Sequence, residues 1–211
     1  MTSNVRNPIF ARMYTRMTEQ EPAEQVEHRR DNVRGLAGRV LEVGAGNGRN
    51  FAHYPASVTQ VIALEPEPFL RDRAFDAAAE APVPVEVVDA VADPLPYDDA
   101  SFDAAVISLV LCTVPNQERA LAEVHRVVRP GGELRFYEHV HANRQPLRGI
   151  LEFADRSRLW PTISGGCHPT RDTLAAIEKA GFTVEHSRRF PFAPTRLIPA
   201  VPHILGVARR P

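Results

Sequence analysis

Gly44, Gly46 and Gly48 follow the apolar run Val40-Leu41-Glu42-Val43, with Ala45, Asn47, Arg49 and Asn50 between and after them. Glycines at such a turn let main-chain N–H groups come into close contact with a ligand lying across it. About twenty residues on, Val61-Ile62-Ala63-Leu64 ends in Glu65, where nucleotide-binding sheets place the acid that accepts both ribose hydroxyls. Glycine turn plus acid reads as a nucleoside-cofactor site. The plain alternative is a tight strand-to-helix turn with Glu65 as a solvated end-of-strand charge.

Spacing narrows the nucleoside. A dinucleotide fingerprint G-x-G-x-x-G needs a third glycine where this chain has Arg49, and no Lys followed by Ser or Thr comes after the turn, as a Walker A phosphate cradle would require. The adenine edge falls to Asp89, Ala90 and Val91, because they follow the apolar run 85–88 at what should be a carboxyl strand end. Asp93, before Pro94, reads as a turn acid.

Those residues need a scaffold. Strands are expected at 38–43, 59–64, 85–89, 104–111 and 133–137, with helices beginning near Asn47 or Gly48 and covering 67–80 and 116–128. The last of these should stop at Arg129-Pro130-Gly131-Gly132. The unbroken apolar run 104–111 suits a central strand covered on both faces, with Ser108 and Leu109 near its ligand-facing end. Beyond it come a helix over 146–160, a glycine loop at 164–168, a helix capped by Thr170 that runs to Lys179, and late strands at 182–188 and 202–209. Pro191, Pro194 and Pro199 break the segment between those strands. Strands alternating with helices give one doubly wound α/β domain. Residues 1–37 form an N-terminal helical cap on a core of 38–211. In the cap, Ile9, Phe10, Met13, Tyr14 and Met17 recur at helical spacing, with Arg12 and Arg16 among them. This face covers either the open mouth above the cofactor or sheet core; weak adsorption to a membrane surface is a third reading.

The bulk numbers agree with one soluble domain: 211 residues, 44% hydrophobic, 24% charged, formal net charge -1. So small a charge offers no field for a polyanion, and nucleic acid is not an expected partner. Cys112 and Cys167 are the only cysteines. Without C-x-x-C spacing they suggest neither a disulfide framework nor a zinc site, and no metal is expected. A reducing cytoplasm is the simplest compartment. No run has signal-peptide or membrane-span character, so peripheral membrane contact is not the primary expectation.

The stretch Glu42-Val-Gly-Ala-Gly-Asn-Gly48 resembles motif I of class I S-adenosylmethionine methyltransferases. A closer resemblance follows from Leu109-Val-Leu-Cys-Thr-Val-Pro-Asn-Gln-Glu-Arg119, Arg129-Pro-Gly-Gly132, Tyr137-Glu-His-Val140, Gly166-Cys167, Thr170-Arg171 and Pro202-His-Ile-Leu-Gly206, which are similar to the methyltransferase-like family of thiol S-methyltransferases. The resemblance implies a mostly parallel Rossmann-like sheet of seven strands, the last antiparallel, and S-adenosylmethionine as cofactor with S-adenosylhomocysteine as product. The cofactor should be held by Glu42, Gly44, Ala45, Gly46, Asn47, Gly48, Asn50, Glu65, Pro66, Asp89, Ala90, Val91, Ser108 and Leu109. The expected acceptor is a small apolar molecule, a thiol first; N- or O-methylation of a phospholipid or another small molecule, and a non-catalytic cofactor-binding module, are the other readings. His139, after the fifth strand, is the expected base or thiolate stabiliser, or else a histidine bonded to the following loop. Phe10, Tyr14, Trp160 and His168 are candidates for the acceptor pocket. Cys112 reads as a small buried hydrophobe.

Overall fold

The computed structural model describes residues 7–142, 145–193 and 200–211, so Pro194 and Pro199 lie outside the described residues. Its centre is a seven-stranded sheet in the order β3-β2-β1-β4-β5-β7-β6. These are β1 (Gly38–Val43), β2 (Val58–Leu64), β3 (Val85–Val88), β4 (Phe102–Ser108), β5 (Val128–His139), β6 (Thr183–Phe192) and β7 (Val201–Arg209). β1 to β5 pair in parallel, whereas β7 runs antiparallel to both β5 and β6. Successive residues of a strand face opposite sides, and here both sides are apolar. Leu41, Val43, Ile62, Leu64, Ala105 and Ile107 feed one core, and Val40, Val61, Ala63, Ala104 and Val106 the other. The strand order reverses between β1 and β4, which opens the ligand crevice of such sheets at their carboxyl ends.

Among the described residues seven α-helices surround the sheet: α1 (Pro8–Glu19), α2 (Ala23–Val33), α3 (Pro68–Ala79), α4 (Gln117–Val127), α5 (Leu147–Arg156), α6 (Leu159–Ile163) and α7 (Thr173–Lys179). Caps set several boundaries. Asn7 accepts from the Phe10 N–H, Glu67 from Leu70, Asn116 from Arg119 and Asp172 from Ala175. None of the described helices is long and apolar enough to cross a membrane.

The elements differ from the sequence expectation in six places, the first being β6, which does not end at Arg188 or break at Pro191 but stays paired with β7 through Phe192. No α-helix follows the glycine turn, only a 3₁₀ turn at Phe51–His53, because Gly48 takes φ +77° and Pro55 closes the segment. β4 stops at Ser108 rather than Leu111. Leu109 turns into the left-handed region at φ +61°, and the next N–H groups leave the sheet for a side chain, Glu138. Arg129-Pro130-Gly131-Gly132 does not separate helix from strand: β5 begins at Val128 and absorbs the quartet as a register shift against β4. The expected 146–160 helix is two helices, parted at Arg158, which adopts φ +58°. Asp172 rather than Thr170 caps α7, since the Thr170 hydroxyl donates to Asp155.

Candidate functional site

The first half of the crevice is made of main chain. Gly44 and Gly46 adopt φ +69° and +58°, and a Cβ on Gly44 would lie 2.5 Å from the Val110 side chain, so β1's turn meets the β4 loop with no room for a side chain. Glu65, at the end of β2, accepts from the Gly46 N–H at 2.7 Å and from the Glu67 N–H at 2.8 Å. The glycine turn and the acid therefore meet. Burial lifts the Glu65 carboxyl to about 7 despite those two donors. Arg71 of α3 donates to the carbonyls of Glu65 and Pro66 and pairs with Asp89 at 3.1 Å, which joins the ends of β2 and β3 into one rim. Asp89 is exposed, and Ala90 and Val91 stand half-buried beside it.

Beneath the turn lies a buried polar network. Glu42 accepts from Asn50 at 2.9 Å and from the Tyr54 hydroxyl at 2.7 Å, and burial raises its carboxyl to about 7. Asn50 also donates to Ser108 Oγ and accepts from Arg29, and Ser108 Oγ accepts from Asn32. Arg29 is fixed by Glu21. Glu42, Asn50 and Ser108 thus hold the turn in shape from below, while Gly44, Ala45, Gly46 and Asn47 form its upper side. Asn47 donates to Thr18 of α1 at 2.8 Å, and its carbonyl oxygen is buried without a donor.

α1 lies across the mouth. The Tyr14 ring stands 3.4 Å from where a Gly46 Cβ would be, Arg12 stacks over Phe69 of α3, and the Phe10 ring packs on Gly165. Of the two surfaces open to this helix, it takes the crevice.

The second half is made of side chains. Glu138 of β5 is fully buried and accepts from the N–H groups of Val110, Leu111 and Cys112, at 2.8, 2.9 and 3.4 Å. The next residue, His139, directs Nδ1 to Cys112 Sγ at 3.7 Å and Cys167 Sγ at 3.6 Å. Its ring packs on His203 with centroids 4.3 Å apart. The segment 164–171 is stapled to the β4 loop: His168 N–H donates to the Cys112 carbonyl, and Arg171 to those of Leu111 and Val114. Among these groups the Cys112 hydrogen bond, with help from His139, pulls Cys167 down to about 5, and Cys112 is driven up. The His139 imidazole is disfavoured as a cation by burial, but the nearby Cys167 and Glu138 outweigh this and raise it.

Trp160 buries its indole N–H beside Cys167, whose thiol pKa it helps to lower. His168, by contrast, turns its ring to Asp155 at 2.6 Å and ties α5 to the loop. Sequence reasoning missed Arg29, Asn32, Arg71 and Glu138 as organisers, since each acts through a partner remote in the chain. It also missed the convergence of Cys112 and Cys167 on His139. The sequence expectation of no metal rested on spacing along the chain, which says nothing about thiols brought together by a loop.

Residues 41–136 match the family model of a methyltransferase domain. The chain is 36% identical to thiol S-methyltransferase TMT1B of Mus musculus, with 95% of this chain and 82% of that protein covered. It is 33% identical to thiol S-methyltransferase TMT1A of Homo sapiens, with 95% and 84% covered. Its fold superposes on a putative methyltransferase of Bacillus halodurans with a TM-score of 0.70 and 18% identity, over 90% of this chain and all of that one.

Proposed function

The chain belongs to the S-adenosylmethionine-dependent methyltransferases, in the family of thiol S-methyltransferases TMT1A and TMT1B, and on that premise we propose that it methylates the sulfur of a small apolar thiol. The residues present fit the cofactor. Gly44 and Gly46 bare the main chain of the turn, the Glu65 carboxylate stands beside them for the ribose hydroxyls, and the buried Asn47 oxygen lacks the donor that a ligand ammonium would supply. Bound S-adenosylmethionine supplies a methyl group on a sulfonium, an already activated leaving group.

The protein's own task is then positional. It must hold a nucleophile in line with the methyl carbon, about 3 to 3.5 Å away, keep water out, and favour the ionised sulfur. Phe10 and Tyr14 from α1 and Trp160 from α6 offer apolar walls, and His139 stands at the polar end as the thiolate stabiliser. The observation that carries this reading is the imidazole of His139 at the carboxyl end of β5, flanked by two sulfurs. A soft, polarisable surrounding suits a sulfur acceptor better than an amine. His168 serves in this reading as a staple rather than as pocket lining.

A second reading, N-methylation of a lipid head group, draws on Ile9, Met13 and Met17. They repeat every four residues along α1 and stay 81%, 42% and 37% exposed beside Arg12 and Arg16. Incubation with methyl-labelled S-adenosylmethionine and matched thiols, amines, phenols and ethanolamine phospholipid vesicles separates the two. Transfer to apolar thiols without vesicles is expected; transfer confined to vesicles favours the lipid reading, and equal affinity for substrate and product cofactor with no transfer at all favours a binding module.

A further inference from the structure

We propose that Cys112, His139 and Cys167 form a three-ligand site for a tetrahedral soft metal ion, zinc by preference, whose fourth position receives the acceptor's thiolate; the second clause rests on the thiol reading above. The three donor atoms lie within 4.8 Å of one another. Zinc bonds of about 2.3 Å to sulfur and 2.0 to 2.1 Å to nitrogen in a tetrahedron set each S···N separation at about 3.5 Å. The observed 3.6 and 3.7 Å differ from this by only one or two tenths of an ångström.

Without a metal, Nδ1–H of His139 and the Cys112 thiol can both bond to Cys167, and Cys112 also meets the Thr113 hydroxyl at 3.5 Å. Two sulfurs nonetheless converge on one nitrogen, the arrangement a shared metal ion requires. A cation at the centre engages all three. Each ligand is also held in place independently of a metal. The Cys112 amide donates to Glu138 and its carbonyl accepts from His168, so the β4 loop is clamped on both sides. The His139 ring is seated on His203. Cys167 follows Gly165 and Gly166, which pack on Phe10 and Thr113. Both thiols are buried, which suits a dehydrated ion.

The coordination is incomplete in a way that fits catalysis. Among the described residues no fourth His, Cys, Asp or Glu joins the group. The neighbouring Glu138 is occupied by main-chain donors, and His203 Nδ1 donates to the Val201 carbonyl. Structural zinc sites close with four protein ligands, whereas catalytic ones keep three and leave one position for water or substrate. Trp160 beside Cys167, and Phe10 on Gly165, place the acceptor walls next to this opening.

The chemistry balances without an oxidant. As the acceptor sulfur enters the fourth position its S–H proton passes to water. On transfer, a sulfur lone pair forms the new S–C bond while the C–S bond to the sulfonium breaks, and that electron pair stays on the cofactor sulfur. A neutral thioether then leaves the metal more readily than the thiolate that came. His139 Nδ1 acts throughout as a ligand rather than as a proton carrier.

The test uses the full chain purified without chelator, supplemented with zinc and dialysed. Elemental analysis should give roughly one zinc per chain. In Cys112→Ser and Cys167→Ser, metal retention should fall at least about tenfold, with S-adenosylmethionine affinity preserved as evidence of folding. Should either variant fail to fold, alkylation of wild-type Cys112 and Cys167 by iodoacetamide provides the same information: zinc should slow it at least about tenfold, and a chelator should restore it. Cobalt(II) in place of zinc should give thiolate charge-transfer bands that change on adding 2-mercaptoethanol but not on adding ethanol. Wild-type protein that retains no more metal than the variants, or thiols that zinc fails to protect, overturns the site and leaves the thiol reading to the transfer assay. Stoichiometric metal with bands unmoved by the thiol overturns the fourth-position role, and copper(I) retained in preference overturns zinc.

Discussion

At the carboxyl ends of β1 and β2, the groups that face the crevice are main-chain N–H donors and one carboxylate, all drawn from residues 42–67. At the ends of β4 and β5 they are side chains from Cys112, His139, Trp160 and Cys167, joined by Phe10 and Tyr14 from α1. The first half comes from the ends of two adjacent strands close together in sequence; the second is assembled from five separate pieces of chain. A shared cofactor asks the same thing of every family member, so one loop conformation suffices there. An acceptor pocket must match one molecule's shape, and side chains on variable loops supply that at the cost of local sequence signal.

The difference can be probed by damaging one half and watching the other. The largest effect is expected for His139→Ala: kcat should fall at least about 10²-fold while S-adenosylmethionine affinity, read by calorimetry, stays within about twofold. If both fall together, the two halves are not separable and His139 is holding the fold. Glu65→Ala should do the reverse and weaken cofactor binding by about 1 to 3 kcal/mol through loss of a charged acceptor for the ribose, without altering the acceptor's KM.

The same carboxyl gives a pH signature. Burial raises Glu65 to about 7 in the free protein, and the ribose hydroxyls need the ionised form, so cofactor affinity should climb as pH rises from about 5.5 to 8. Glu65→Gln should bind weakly and flatten the curve; a slope that survives this substitution would place the titrating group elsewhere. Glu42 acts on stability instead. Its folded value near 7 exceeds the unfolded value near 4.3, so its contribution is fully present below pH 4.3 and is lost as pH rises through 7. Denaturant titrations of wild type and Glu42→Gln should therefore diverge toward high pH, with the variant less pH-sensitive. Smallest is Tyr54→Phe, which removes one of the two donors to Glu42 and should cost about 1 to 2 kcal/mol of stability with the cofactor site intact.

The sequence made the first half legible because its signals are local. Val40, Leu41 and Val43 in β1 and Val61 to Leu64 in β2 put apolar side chains on both faces, as strands covered by helices do, and the glycine turn and Glu65 sit directly after them. Where local pattern failed, a long-range partner had won. The run to Leu111 looks like uninterrupted strand, yet Glu138 takes the N–H groups that would have continued the ladder. Cys112 reads as a buried hydrophobe until the loop carrying Cys167 is folded onto it by Arg171 and the His168 amide. Nothing in one-dimensional spacing announces that meeting. The polar face of α2 is similar: Arg29 and Asn32 look like solvated residues, but they are buried beneath the glycine turn.

One short helix rests on Gly46, on Phe69 and on Gly165 at the same time, and so roofs both chambers. Donor and acceptor therefore share a doorway. If cofactor and acceptor bind where proposed above, both pass beneath this one helix. On that reading, initial-rate kinetics should show a sequential pattern with a ternary complex, and parallel lines in a double-reciprocal plot would break it.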